Sequence, residues 1–211
     1  MSKVVLSKSG LQKERAGLHL YRKVLPSLDL KRRQLMGEQK RAERSLADLD
    51  MQIESLLDRV AAQIPMLGSG AVDIDGVLTI KEIRRSTENV VGVRLPSFVG
   101  VDFETIPYSL LGKPHWVDIT IAHLQEYATL CLRAVVAKER LDLLNHSVRK
   151  ITQRVNLFEK ILIPTAEKNI RGIQIYLADA ERTAVIQSKL SKAKRLAAAH
   201  PSGIERYGTA P

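Results

Sequence analysis

Apolar residues recur along the first third of the chain at alternating spacings of three and four. Leu18, Tyr21, Leu25, Leu28, Arg32, Leu35, Gln39, Ala42, Leu46, Leu49, Ile53, Leu56 and Val60 keep this spacing without a slip, and only Arg32 and Gln39 are polar. Sustained over about six heptads, it predicts the seam of a left-handed coiled coil. A surface helix of a globular domain seldom holds one register so long. Pro26 lies inside the run and removes one backbone hydrogen bond, so a local bend is expected there. Pro65 supplies a stop.

The last part of the chain repeats the spacing in three pieces. One runs Ile121, Leu124, Ala128, Cys131, Val135. The next runs Leu141, Leu144, Val148, Ile151, Val155, Phe158, Leu162, and the third Ile170, Ile173, Leu177, Ala180, Ala184. Register shifts of this kind unwind or overwind a coiled coil locally without ending it. Pro164 falls at the second shift, so a second bend is expected there. The middle differs. Val77–Ile80 and Val90–Leu95 are β-branched runs beside Gly and Pro, and 99–106 alternates, which predicts short strands and one hairpin. Such a segment is too small for a core of its own and reads as a cap joining two helices.

Two long helices joined by a compact connector must return antiparallel to bury each other's seams. The predicted fold is mainly α, a long antiparallel two-helix coiled coil with a small central insert of short β-strands. Residues 1–65 form the first helix, 66–116 the insert, 117–198 the second helix and 199–211 a flexible tail. Only 4% of the 211 residues are aromatic. That is thin for a globular core but suits coiled-coil layers of Leu, Ile, Val and Ala.

The formal charge of +10 is unevenly placed: +5 on residues 1–65, −1 on 66–116 and +6 on 117–211. Lys31, Arg32 and Arg33, followed by Lys40, Arg41 and Arg44, form the densest basic block. It fits a solvated coiled-coil face, a nucleic-acid surface or contact with an acidic protein. No aromatic stacking residue accompanies it, which weakens the nucleic-acid reading. Lys189, Lys192, Lys194 and Arg195 form a second basic group near the end of the long helix. Arg32 and Gln39, polar within the seam, either fix register or mark places where the seam meets a partner.

Catalytic chemistry has no visible anchor. Gly68-Ser69-Gly70 lacks the Lys and Ser/Thr of a phosphate-binding loop and reads as a linker. The five histidines have no metal-ligand spacing, so no cofactor or metal is expected. Cys131 sits on an apolar seam and reads as a small buried hydrophobe. The longest stretch free of charged residues, Val60–Val72, has 13 residues, short of the roughly 18 of a membrane span. The first residues hold no apolar leader core, so an intracellular, soluble chain is expected.

Arg154-Val-Asn156, Glu159 and Ile163-Pro164, followed by Ile170, Ile173, Leu177 and Glu181-Arg182, resemble a pattern of the D subunits of the V-type and A-type rotary ATPases. Glu88-Asn-Val-Val-Gly-Val-Arg-Leu-Pro96 is similar to the E-N-x-x-G-V-x-x-P of that family, and Leu25–Arg33 with Leu35 to the L-K-x-K-R-x-x-L stretch that opens its first helix. Thr183–Ile186 departs from the acidic and aromatic residues usual there. The resemblance covers about 10–196. It implies a non-catalytic rotor shaft entering the A/B catalytic hexamer, bound by the F subunit and by the socket subunit of the membrane ring. One copy per complex is implied, at the cytoplasmic face of the membrane, with no membrane insertion and no nucleic acid. Expected partner contacts are Lys31, Arg32, Arg33 and Gln39 on the first helix. On the second they are Arg154, Asn156 and Glu159, then Lys189, Lys192 and Arg195. Pro26 and Pro164 are the expected shaft bends. A coiled-coil scaffold or a basic nucleic-acid-binding coiled coil is the alternative.

Overall fold

A computed structural model describes residues 5–66, 77–105 and 116–199. Helix α1 spans Lys8–Gln63, strand β1 Leu78–Val90, strand β2 Val93–Thr105, and helix α2 Trp116–Leu157. A π-helical turn, Phe158–Leu162, leads into helix α3, Ile163–Ala199. The architecture is mainly α, a helical hairpin with a small two-stranded insert. The expected linker at Gly68–Gly70 and the tail beyond Ala199 lie outside the described residues.

Helix α1 starts where Ser7 accepts a hydrogen bond from the Gly10 amide at 3.0 Å, an N-cap that satisfies one free amide of the first turn. Pro26 sits inside α1 without ending it. Every seam position from Leu18 to Val60 is buried or half-buried, so the three-four spacing read the buried face of α1 correctly.

The chain divides into two compact units. The larger is Pro26–Val155. Here α1 and α2 run antiparallel, as three cross-helix pairs show: Gln39 with Asn145, Arg59 with Glu126, and Gln63 with His123. The β-hairpin lies against both helices. Leu95 joins Leu35, Ala42, Leu144 and Ile151 in one buried cluster, with Val90, Val91 and Val93 packed onto it. The insert therefore does not merely cap the helices; it forms a third layer that shares their core. Leu35, Leu95 and Leu144 are almost wholly buried, each worth about 1.5–3 kcal/mol of transfer free energy.

The hairpin is longer and more regular than its sequence suggested. β1 and β2 pair from Leu78 with Thr105 to Val90 with Val93. Irregularities between Ile80 and Glu82, and between Arg84 and Arg85, are bulges that leave Lys81 and Val99 without a direct partner. Val91 and Gly92 make the turn with φ of 53° and 79°. Two successive positive φ angles match the twist of the flanking strands. Valine is a costly choice there, and its side chain is held by packing on the buried cluster.

On α2 the first expected piece of seam is partly displaced. Leu124 and Val135 are exposed, at 38% and 56%, whereas Val117, Thr120, Leu130 and Val136 are buried. Near Val135 the third layer accounts for this: Pro96, Ser97 and Phe98 of β2 line a hollow with Val136, so that part of α2 faces strand and helix together.

The smaller unit comprises Met1–Leu25 and Asn156–Pro211. Its helices also run antiparallel: Lys8 pairs with Glu181 and Arg22 with Glu167, while Tyr21 packs edge-to-face on Phe158 at 5.6 Å. The π turn opens this unit. The Ile163 amide donates to the Phe158 carbonyl, five residues back. In a regular α-helix the Pro164 ring would press on the Lys160 carbonyl, and the wider turn relieves that clash. The break between the second and third expected seams is filled by Ala166, which is buried. Buried or half-buried positions then run Phe158, Leu162, Ala166, Ile170, Ile173 and Leu177. Ala180 and Ala184, expected on the seam, are exposed.

Candidate partner-binding surfaces

The basic block of α1 is tied into the fold more than its sequence suggested. Arg32 and Arg33 both pair with Asp29, one turn earlier. The Nε of Arg32 is buried without a hydrogen-bond partner. A Cβ placed on Gly92 would stand 3.3 Å from the Lys31 ammonium, so that lysine lies beside the hairpin turn. Gln39 donates to Asn145 Oδ1 at 2.7 Å and to Glu43 Oε1 at 3.1 Å. A satisfied polar pair across a coiled-coil seam fixes register, because a slipped register would bury both amides unpaired. The sequence marked Gln39 but not Asn145, whose signal was its place beside the seam residue Leu144.

Arg154, Glu159, Lys189, Lys192 and Arg195 are exposed, and Asn156 is half-buried. Along α3 the exposed face also carries Ile175, Tyr176, Val185, Ile186, Leu190 and Leu196. Ala178, Glu181, Arg182, Val185 and Ile186 line a shallow depression there. Exposed apolar patches of this kind are a common feature of interaction surfaces.

The larger unit holds two further recesses. One, of about 290 Å³, is apolar and lined by Leu56, Leu57, Val60, Thr120, His123, Leu124 and Tyr127. A hydrogen bond with Cys131 raises the Tyr127 pKa above the ordinary tyrosine value, with lesser contributions from charge at Cys131 and from burial. The other lies between α1, α2 and β2 and holds Arg41, Arg133 and Arg140. Among the described residues there is no cluster of three metal-ligating side chains, and no helix is long and apolar enough to cross a membrane.

These features define a helical assembly component. The buried residues build a coiled coil, and the bared ones form long surfaces instead of an enclosed pocket. The family model for the D subunit of ATP synthase matches residues 10–193. The D subunit of the V-type ATP synthase of Borreliella burgdorferi is 34% identical over 192 residues, covering 91% of this chain and 95% of the relative. Relatives of the same description from Chlamydia muridarum, at 36% over 198 residues, and Chlamydia pneumoniae, at 33% over 196, cover 92% and 90% of this chain and 96% and 92% of their own. The chain belongs to the ATP synthase D-subunit family, and with it to the components of rotary ATPases.

Proposed function

We propose that this chain is the non-catalytic central shaft of a V/A-type rotary ATPase. It couples ATP hydrolysis or synthesis in the A/B hexamer to rotation of the membrane ring, and so to proton or sodium ion transport. The observation that carries this reading is the seam of α1, withdrawn from solvent at every position from Leu18 to Val60. A shaft needs that continuity, because torque is lost wherever the paired helices part. ATP is cleaved at the A/B interfaces, not on this chain. Closure of one interface favours one orientation of an asymmetric shaft, which couples chemistry to angle as a population shift. The F subunit binds alongside, and the socket subunit of the ring receives the end facing the cytoplasmic side of the membrane.

The exposed Arg33, Lys189, Lys192 and Arg195 support a bearing role, since long-range attraction to an acidic bore centres a shaft without fixing its angle. Arg154, Asn156 and Glu159 are proposed contacts with the same surroundings. Pro26 and Pro164 give the profile that each interface senses, so Pro164→Ala alters coupling more than assembly. Co-expression with the A and B subunits tests the reading. A purified complex with three A, three B and one copy of this chain is expected, as is rotation of a bead attached to the chain on addition of ATP. A chain that never joins the hexamer, or that binds DNA or RNA tightly with a steep salt dependence, overturns it.

A further inference from the structure

β1 carries Arg84-Arg85-Ser86-Thr87, a run to which the shaft reading gives no task. All four side chains are exposed. Arg84 meets Asp102 at 2.8 Å across the hairpin. Arg85 reaches Glu139 on α2 at 3.4 Å, and Glu88 holds Arg140, the next residue of α2, at 3.0 Å. These two ion pairs tie β1 to α2, and Ser86 and Thr87 stand between them in the sequence. Among the described residues neither hydroxyl has a hydrogen-bond partner. The pairing is regular from Arg85 to Val90, so Arg85 and Thr87 share one face of the strand. A hairpin closed by a two-residue turn exchanges both hydrogen bonds at the pair beside the turn and at every second pair from there. Val90–Val93 is the first such pair, so Thr87 opposite Pro96 falls between two of them. That is why a proline fits at position 96, and it directs the Thr87 N–H and C=O to the edge of β1 away from β2. Among the described residues no strand occupies that edge.

We infer that Thr87 is a phosphorylation site, modified by a Ser/Thr kinase that selects cations two and three residues before the acceptor. An extended strand with a free edge, a free hydroxyl and Arg84 and Arg85 at those two positions is the form such an enzyme reads, by main-chain pairing and by charge. Ser86 suits it less: both arginines stand one residue too close, and opposite Ser97 its main-chain groups face β2. In the transfer Thr87 Oγ1 attacks the γ-phosphorus of ATP. The Oγ1–P bond forms, the bond from that phosphorus to the oxygen bridging the β-phosphate breaks, ADP leaves, and the hydroxyl proton passes to the base of the kinase. The product carries about −1.5 to −2 charges at neutral pH. On the face it shares with Arg85, the phosphate draws that guanidinium away from Glu139, whose contact is the longer of the two ties. Beside Glu88 in the chain, it repels that carboxylate and competes for Arg140. Both ties weaken, and β1 loosens from α2. The assignment concerns the chain's own surface and stands whether or not the chain is a shaft.

The test incubates the full chain with ATP labelled in its γ-phosphate and, as probe, the catalytic subunit of cyclic-AMP-dependent protein kinase, which has that selectivity. One phosphate, located on Thr87 by mass spectrometry, is expected. Arg84→Gln with Arg85→Gln should cut labelling about tenfold or more. Thr87→Val should abolish it, and Ser86→Ala should leave it. Amide hydrogen exchange in β1 should rise about threefold or more on phosphorylation, as local opening becomes easier. Glu88→Gln with Glu139→Gln, without phosphate, should reproduce part of that rise. The same phosphopeptide is expected in the chain isolated from the cells that make it. Label only on residues other than Thr87, labelling indifferent to the two arginines, β1 exchange unmoved by the phosphate, or an unmodified Thr87 at every stage of growth overturns the inference, while the shaft reading stands.

Discussion

The two units solve the same problem with different means. Pro26–Val155 pairs two helices and closes one side with a hairpin, so Leu35, Leu95 and Leu144 sit in a core that three elements share. Among the described residues, the smaller unit pairs two helices with no strand laid over them. Among its described residues only Ala166 and Ile173 are buried, and α3 bares large apolar side chains beyond Ile173. The first unit completes its own interior. The second leaves the large apolar side chains of α3 exposed. Stability is therefore concentrated in one unit, and the capacity for contact in the other.

Substitutions sharpen this contrast. Leu144→Ala should cost about 2–5 kcal/mol in urea unfolding, because it empties a site walled by helix and strand. Gly92→Ala comes next. Its φ of 79° strains any side chain, and the new Cβ meets Lys31, so a loss of about 1–2 kcal/mol is expected. Asn145→Ala should cost about 1 kcal/mol by leaving the Gln39 amide without its cross-helix acceptor. Val185→Ser with Ile186→Ser should move the stability of the isolated chain by less than about 0.5 kcal/mol while weakening assembly. A large stability loss there would erase the distinction between the units. The smallest effect is electrostatic. Tyr127 is raised in the folded chain, so its phenol binds its proton more tightly than in the unfolded chain. That contribution is complete below the ordinary tyrosine value of about 10 and is lost as pH rises through the folded value. Absorbance titration should show a late phenol, and Cys131→Ala should bring it earlier.

What the sequence disclosed follows from where packing is periodic. The α1 seam was readable because one face of one helix meets one neighbour. On α2 the same reasoning misplaced Val135, because β2 is a second neighbour there and no spacing rule for two helices anticipates that. The strands were visible as β-branched runs. Their length was hidden by the polar residues of β1 from Lys81 to Asn89, most of which face solvent. Among the proposed contacts, Gln39 turned out to be bonded within the fold. The arginines of the α1–α2–β2 groove were scattered at 41, 133 and 140, and only folding gathers them.

The π turn carries a consequence for how this helix tolerates change in length. From Phe158 to Ile170 the buried and half-buried positions advance by three successive steps of four. In a regular α-helix each such step leads the axis by about 40°, so the stripe would wander off its partner. A turn wound with one extra residue takes up that lead. Phe158–Leu162 thus acts as a vernier, cancelling an inserted residue locally so that Ile173 still points inward. Removing one residue from it, together with Pro164→Ala, should give an uninterrupted α-helix whose distal faces keep their phase. A one-residue deletion after Leu177 has no such compensator, and would swing every bared side chain beyond it by about a quarter of a turn.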